Sequence, residues 1–211
     1  MTDLVLALDV TDPERAVAVA TACAPHLDAI KVGYPLALRS GLSIARELGR
    51  LGLPLAADFK VADIPDTNRL IAEAVFSAGF HAVICHGFCG EDSVLACVET
   101  AHDHGGMCLV VAEMSHPGAL TFFSAGVPER IARMAVSLGA DGIIAPATRP
   151  ERVRALRTIV GGRAIWSPGV GVQGGDPKVI ASLVDGIIVG RQIYQAADPA
   201  AAAAALGPLR R

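Results

Sequence analysis

Asp58, Lys60 and Asp63 lie close together in the stretch DFKVADIPDTN, residues 58–68. The flanking chain is apolar, and a charge buried there is costly unless it is paired. Four kinds of chemistry use such a set: a structural ion cluster, a metal site, a Schiff-base lysine, or a device that stabilises charge and moves a proton. A Schiff-base lysine needs a neutral amine, whereas carboxylates on either side pair with an ammonium. Paired carboxylates can hold Mg2+, but an ammonium between them competes for the same oxygens. An ammonium held between acids suits stabilisation of a developing carbanion followed by its protonation. Ionisable clusters in clefts are more often sites than girders, so a functional role is expected here.

The choice of lysine carries information. Lys31, Lys60 and Lys178 are the lysines among 18 basic residues, the others being arginine. In such a chain a lysine marks a position where a compact ammonium is wanted and a guanidinium is not. Lys31 and Lys60 fall in apolar, strand-like segments, while Lys178 is expected on an exposed helix.

These residues must be held by something, and the hydrophobic pattern says what. Eight apolar runs recur at residues 4–10, 29–34, 53–60, 81–87, 107–115, 141–147, 163–169 and 185–191. A helix-like stretch follows each. Near-continuous apolar strands alternating with helices predict a parallel sheet covered on both faces. Eight such units in 211 residues predict a single-domain (β/α)8 barrel spanning residues 1–211. A dinucleotide-binding sheet would need a glycine triplet after the first strand, and LDVTDPERA lacks it. Asp12-Pro13 and Asp198-Pro199 supply an N-cap and a first-turn proline, the second pair opening a final helix over Ala200–Ala205.

Composition narrows the class. Net charge is −3 and no basic run suggests a nucleic-acid partner. No segment of about 18 apolar residues suggests a membrane span, and Met1–Leu8 does not read as a signal peptide. Cys23, Cys85, Cys89, Cys97 and Cys108 are odd in number and lie mostly in apolar segments, which reads as reduced, buried and cytoplasmic. Cys85-His86 and Cys89 lack a second pair at metal spacing, so a structural role is expected for them. His102 and His104 are expected to face solvent.

In a (β/α)8 barrel the site lies at the C-terminal ends of the strands. Asp9, Lys31, Asp58, Lys60, His86, Ser115, Thr148, Arg149, Ser167, Pro168, Gly190 and Arg191 fall there, with Asp63 in the loop beyond strand three. Asp58 and Lys60, two apart, should face the same way. Gly190-Arg191 enters a helix start after strand eight, a usual phosphate position in such barrels. Arg191 can add a bidentate contact. The glycine-rich loop SPGVGVQGGDPK, with Gln173 at its tip, suits a mobile phosphate-gripping lid.

DFKVADIPDT carries the Asp-x-Lys-x-x-Asp-Ile-Pro pattern of the orotidine 5'-monophosphate decarboxylase family. LALDV, IKVGYPL, HGFCGEDSV, AEMSHPGA, ATRPERV, SPGVGVQGGDP and IIVGRQIY also resemble its segments, in order along the whole chain, most closely those of the compact archaeal form. The resemblance implies a decarboxylase of pyrimidine biosynthesis that needs no metal and no cofactor. It implies that Lys60 protonates C6 of the pyrimidine, that Asp58 lies beside the substrate carboxylate, and that Lys31 bridges Asp58 and the ribose. Asp9 would bind a ribose hydroxyl and Ser115 the pyrimidine edge. Gln173, Gly190 and Arg191 would hold the phosphate under the loop from Pro168 to Lys178. Asp63, Ile64 and Thr67 would reach into a neighbouring subunit, making a homodimer with shared sites. Cys89, Ala147 and Trp166 depart from the family's usual proline, serine and smaller apolar residue. The alternative in another reaction class is an Mg-dependent sugar-phosphate decarboxylase or aldolase on the same barrel.

Overall fold

Apolar residues at every second position fix the architecture, because in a strand they all point one way. Residues 2–171 and 174–210 are described by the computed structural model. Their elements run β1 (Asp3–Ala7), α1 (Pro13–Cys23), β2 (Ala29–Gly33), α2 (Tyr34–Ser40), α3 (Ile44–Gly49), β3 (Leu55–Val61), α4 (Pro65–Ser77), β4 (Ala82–His86), α5 (Glu91–Asp103), β5 (Met107–Val111), α6 (Val127–Ser137), β6 (Gly142–Ile144), α7 (Pro150–Val160), β7 (Ala164–Pro168), α8 (Pro177–Ile180), β8 (Gly186–Val189), α9 (Arg191–Tyr194) and α10 (Pro199–Ala204). All eight strands pair in parallel in sequence order, and β8 returns to β1 through Asp3↔Gly186 to Leu6↔Val189. The eight expected strands are therefore present, six of them within their predicted runs, while β1 begins one residue before its run and β3 ends one residue after its own, and the ring they make is closed.

Two apolar layers follow from strand alternation. The outward set, with Leu4, Leu6, Ile30, Leu55, Val83, Val110 and Ile187, packs against the helices. The inward set is smaller: Val5, Ala7, Ala29, Ala56, Ala82, Ile84, Leu109, Val111, Ile144, Trp166 and Ile188. Much of that inner layer is alanine, which leaves room for one indole. Trp166 pairs with Gly186 across β7 and β8, and a Cβ on Gly186 would lie 2.6 Å from its Cδ1. Glycine at 186 thus accommodates the tryptophan.

The capping signals appear as expected. Asp12 accepts from Arg15 N–H and Asp198 from Ala201 N–H, opening α1 and α10. All five cysteines are free thiols; four are buried and Cys89 is exposed. His102, His104 and Lys178 are exposed, the last on α8. No helix among the described residues is long and apolar enough to cross a membrane.

Strand β3 departs from regularity at the most informative place. Its register with β4 runs Ala56↔Ala82 and Ala57↔Val83, then shifts to Val61↔Cys85. Two extra residues are therefore accommodated in β3, and Lys60 has φ 44. A positive φ on a side-chain-bearing residue carries strain, and such strain collects at functional sites.

Candidate active site

The inward-facing columns run to the C-terminal ends of the strands, at or just beyond their last ladder pairs, and open into the mouth of the barrel. Ala7 leads to Asp9, Ala29 to Lys31, Ala56 to Asp58, Val111 to Glu113 and Ser115, Trp166 to Pro168, and Ile188 to Gly190. These polar ends line a cavity of about 230 Å³, together with Lys60, Ile84, Met114, Ile144, Arg191, Gln192 and Tyr194. Alternation brings them together because the columns are in phase around a closed ring.

At the centre the charges alternate. Asp58 Oδ2 lies 2.8 Å from Lys31 Nζ and Asp58 Oδ1 2.7 Å from Lys60 Nζ. Lys31 Nζ also lies 3.5 Å from Asp9 Oδ1. Burial by itself would raise the Asp58 pKa, but Lys31 and Lys60 outweigh it and hold the carboxyl below the usual range. Burial would likewise favour a neutral Lys31, yet Asp58 and Asp9 outweigh that and raise its pKa above that of an ordinary lysine. Both oxygens of Asp58 are committed to ammonium groups. Gly33 permits the outer pair, since a Cβ there would lie 2.7 Å from Asp9 Oδ1 and 3.5 Å from Lys31 Nζ.

Asp58 and Lys60 meet as expected, although the strand does not pass between them as a regular pleat. The shift in register and the positive φ of Lys60 accompany the contact. Lys31 is buried, whereas the Lys60 side chain keeps 35% of its exposure and faces the cavity.

Asp63 does not join its own chain's network. It is exposed, and its Oδ1 accepts the Ile64 N–H at 2.7 Å. Ile64 is 65% exposed and Thr67 half-buried, and none of the three lines the cavity. Their loop is nonetheless held firmly. Buried Asn68 accepts from Asp63 N–H at 3.0 Å and donates to Ser93 O and Oγ, while Ser93 Oγ donates to Asp63 O. Two aspartates, Asp9 and Asp58, thus meet in the mouth of this chain's own barrel.

Pro168, Ser115, Gly190 and Arg191 all line the cavity, as expected for strand-end residues. Gly190 is tightly enclosed, a Cβ there meeting Ala7 O at 3.2 Å and Tyr194 Cε1 at 3.3 Å. Gln173 lies outside the described residues. His86 stands apart from the cavity lining. Its Nδ1 accepts from Phe88 N–H, its ring packs near Phe88 and Phe123, and burial followed by the nearby Lys60 charge lowers its pKa. Ser167 is buried and donates to Ala145 O, a structural bond. Glu113, Met114, Gln192 and Tyr194 are lining residues that the sequence reading passed over. Glu113 was signalled by alternation, lying two residues from both Val111 and Ser115.

A closed parallel barrel with a Lys–Asp–Lys–Asp chain at its mouth has the form of a class of enzymes that work by preorganised charge at strand ends. Comparison with known proteins makes this particular. Residues 2–206 match the model of the orotidine 5'-phosphate decarboxylase / HUMPS family, and this chain belongs to that family. It is 55% identical over 204 residues to the orotidine 5'-phosphate decarboxylase of Methanosarcina mazei, covering 96% of this chain and 92% of that one. Among solved structures, orotidine 5'-monophosphate decarboxylase from Methanocaldococcus jannaschii complexed with inhibitor BMP superposes with a TM-score of 0.95 at 41% identity, covering 99% and 98% of the two chains. The orotidine 5'-phosphate decarboxylase of Pyrococcus horikoshii OT3 gives a TM-score of 0.89 at 45% identity, with 98% of each covered.

Proposed function

We propose that this chain decarboxylates orotidine 5'-monophosphate to uridine 5'-monophosphate and CO2, with Lys60 as carbanion stabiliser and proton donor. The observation that carries the assignment is the Lys60 ammonium, fixed 2.7 Å from Asp58 Oδ1 and facing the cavity. Breaking the bond from C6 to the carboxylate leaves its electron pair on C6 in the ring plane, outside the π system. A positive charge already in place lowers the energy of that pair with little reorganisation. A proton from Lys60 then completes the new C6–H bond, and the partly exposed amine regains a proton from solvent. Asp58 would lie beside the departing carboxylate, and Lys31 would orient Asp58 and reach the ribose. Asp9 would accept from a ribose hydroxyl and Ser115 would meet the pyrimidine edge.

Phosphate is assigned to Gly190, Arg191 and the lid from Pro168 to Lys178. It lies remote from the reacting carbon, so its binding energy can close the lid and be realised in the transition state. Asp63, Ile64 and Thr67 are assigned to the site of a second copy, giving a homodimer. Their outward position supports this, as do the exposed Tyr34 and Phe88 near the same strand ends. Reduced thiols and the lack of a membrane-spanning helix among the described residues fit a cytoplasmic enzyme.

The metal-dependent sugar-phosphate reading finds no support among the relatives reported above. A spectrophotometric assay of orotidine monophosphate loss, with and without EDTA, tests the assignment. Turnover unchanged by EDTA is expected; no turnover, or turnover abolished by EDTA and restored by Mg2+, would overturn it.

A further inference from the structure

Glu113 is a fully buried carboxylate in the wall of the active-site cavity. An apolar side chain would fill that space without the cost of burying charge. The carboxylate is instead held from both sides: Oε1 accepts from Arg149 Nε at 2.8 Å, and Oε2 from Arg152 Nε at 3.1 Å. Arg152 in turn reaches Glu129 on α6 through Nη1 at 2.9 Å and Nη2 at 3.3 Å. Arg149 does a second thing. Its Nη2 donates to the carbonyl oxygen of Met114. Beside it, Thr148 Oγ1 donates to the carbonyl oxygen of Ser115 at 3.3 Å.

A guanidinium is a rigid planar fork, so fixing one N–H fixes the direction of the others. With Nε bound to Glu113, the Nη2 of Arg149 is aimed at the Met114–Ser115 peptide. We infer that Glu113 is a positioning residue for the base-binding corner of the site: through Arg149 it sets the peptide that presents Ser115 to the pyrimidine. The same pairing engages two guanidinium groups, neither of which lines the cavity. The inference rests on the reading above that Ser115 meets the base.

Glu113→Gln tests it. The amide keeps the shape but turns one acceptor into a donor, which cannot accept from a guanidinium N–H. The readout is inhibition by two ligands on the full-length enzyme: uridine 5'-monophosphate, which has a base, and ribose 5-phosphate, which has none. In the variant, affinity for uridine monophosphate should fall about tenfold, with a similar loss in kcat/KM for orotidine monophosphate, a loss of one hydrogen bond to a charged group. Affinity for ribose 5-phosphate should stay within about twofold, since that ligand never reaches the corner. Equal weakening of both ligands, or no weakening of uridine monophosphate, overturns the inference. Should Glu113→Gln fail to fold, Arg149→Lys carries the same test: it keeps a cation for Glu113 but loses the second donor, fixed in direction by the first, that holds Met114 O. A wild-type enzyme that binds both ligands equally would instead remove the base-site reading itself.

Discussion

Asp58 stands between Lys31 and Lys60 and neutralises only one of them, so the tetrad depends on Asp9 for balance. This arrangement gives Lys60 its place, and Lys60→Ala should lower kcat by about a thousandfold or more, within the range for a lost proton donor. Melting temperature should change little because the side chain is partly exposed; near wild-type turnover would refute the proton-donor role. The same charges set a pH dependence. The folded-state pKa of Asp58 is lowered from 3.8, so its contribution to stability is complete above that value and is lost as pH falls through the lower folded value. Lys31 is the opposite case: its contribution is present below 10.5 and is lost as pH rises through its raised folded value. Asp58→Asn should therefore cost about 3 kcal/mol at neutral pH, as breaking a buried pair does. Melts of both proteins from about pH 8 to about pH 3 should show the difference shrinking only at the acid end.

At the scale of elements, the strands were legible because parallel strands covered on both faces read as continuous apolar runs. Charged residues at their ends stood out for the same reason, which is why Asp9, Lys31, Asp58 and Lys60 could be named beforehand. Glu113 was hidden in the apolar run MCLVVAEMS, where only the inward or outward phase of β5 distinguishes it from its neighbours. The direction of Asp63 was hidden too, since it depends on how Asn68 and Ser93 tether the loop rather than on strand parity. The register shift in β3 has no signature in DFKV; it is seen only in the pairing with β4. Trp166 was visible as an odd residue, but its cause lies across the ladder in Gly186. Gly186→Ala should destabilise the protein by about 1–3 kcal/mol through overpacking. Trp166→Phe should recover part of that loss in a double-mutant cycle of urea melts. Additive losses would mean that the two positions are not coupled.

For the whole molecule, the closed ring leaves β1 and β8 paired and every strand with two neighbours. Exposed Asp63 and Ile64, with Thr67 in the first turn of α4, form the stretch proposed above to serve a second barrel. If it does, inactive Lys60→Ala and Asp63→Ala subunits should complement one another. Random exchange in an equal mixture places half the subunits in heterodimers with one intact site each, so about a quarter of wild-type activity should return. Verified heterodimers that stay inactive would exclude sharing. The single tryptophan has a further use in such experiments. Trp166 is packed in the inner layer with Ile144 and Ile188, which also line the cavity floor. The barrel thus carries its own optical probe: the indole packs against two residues of the cavity lining, and a change in its emission on titration or stopped-flow mixing with uridine 5'-monophosphate is the expected signal of occupancy, without an added label.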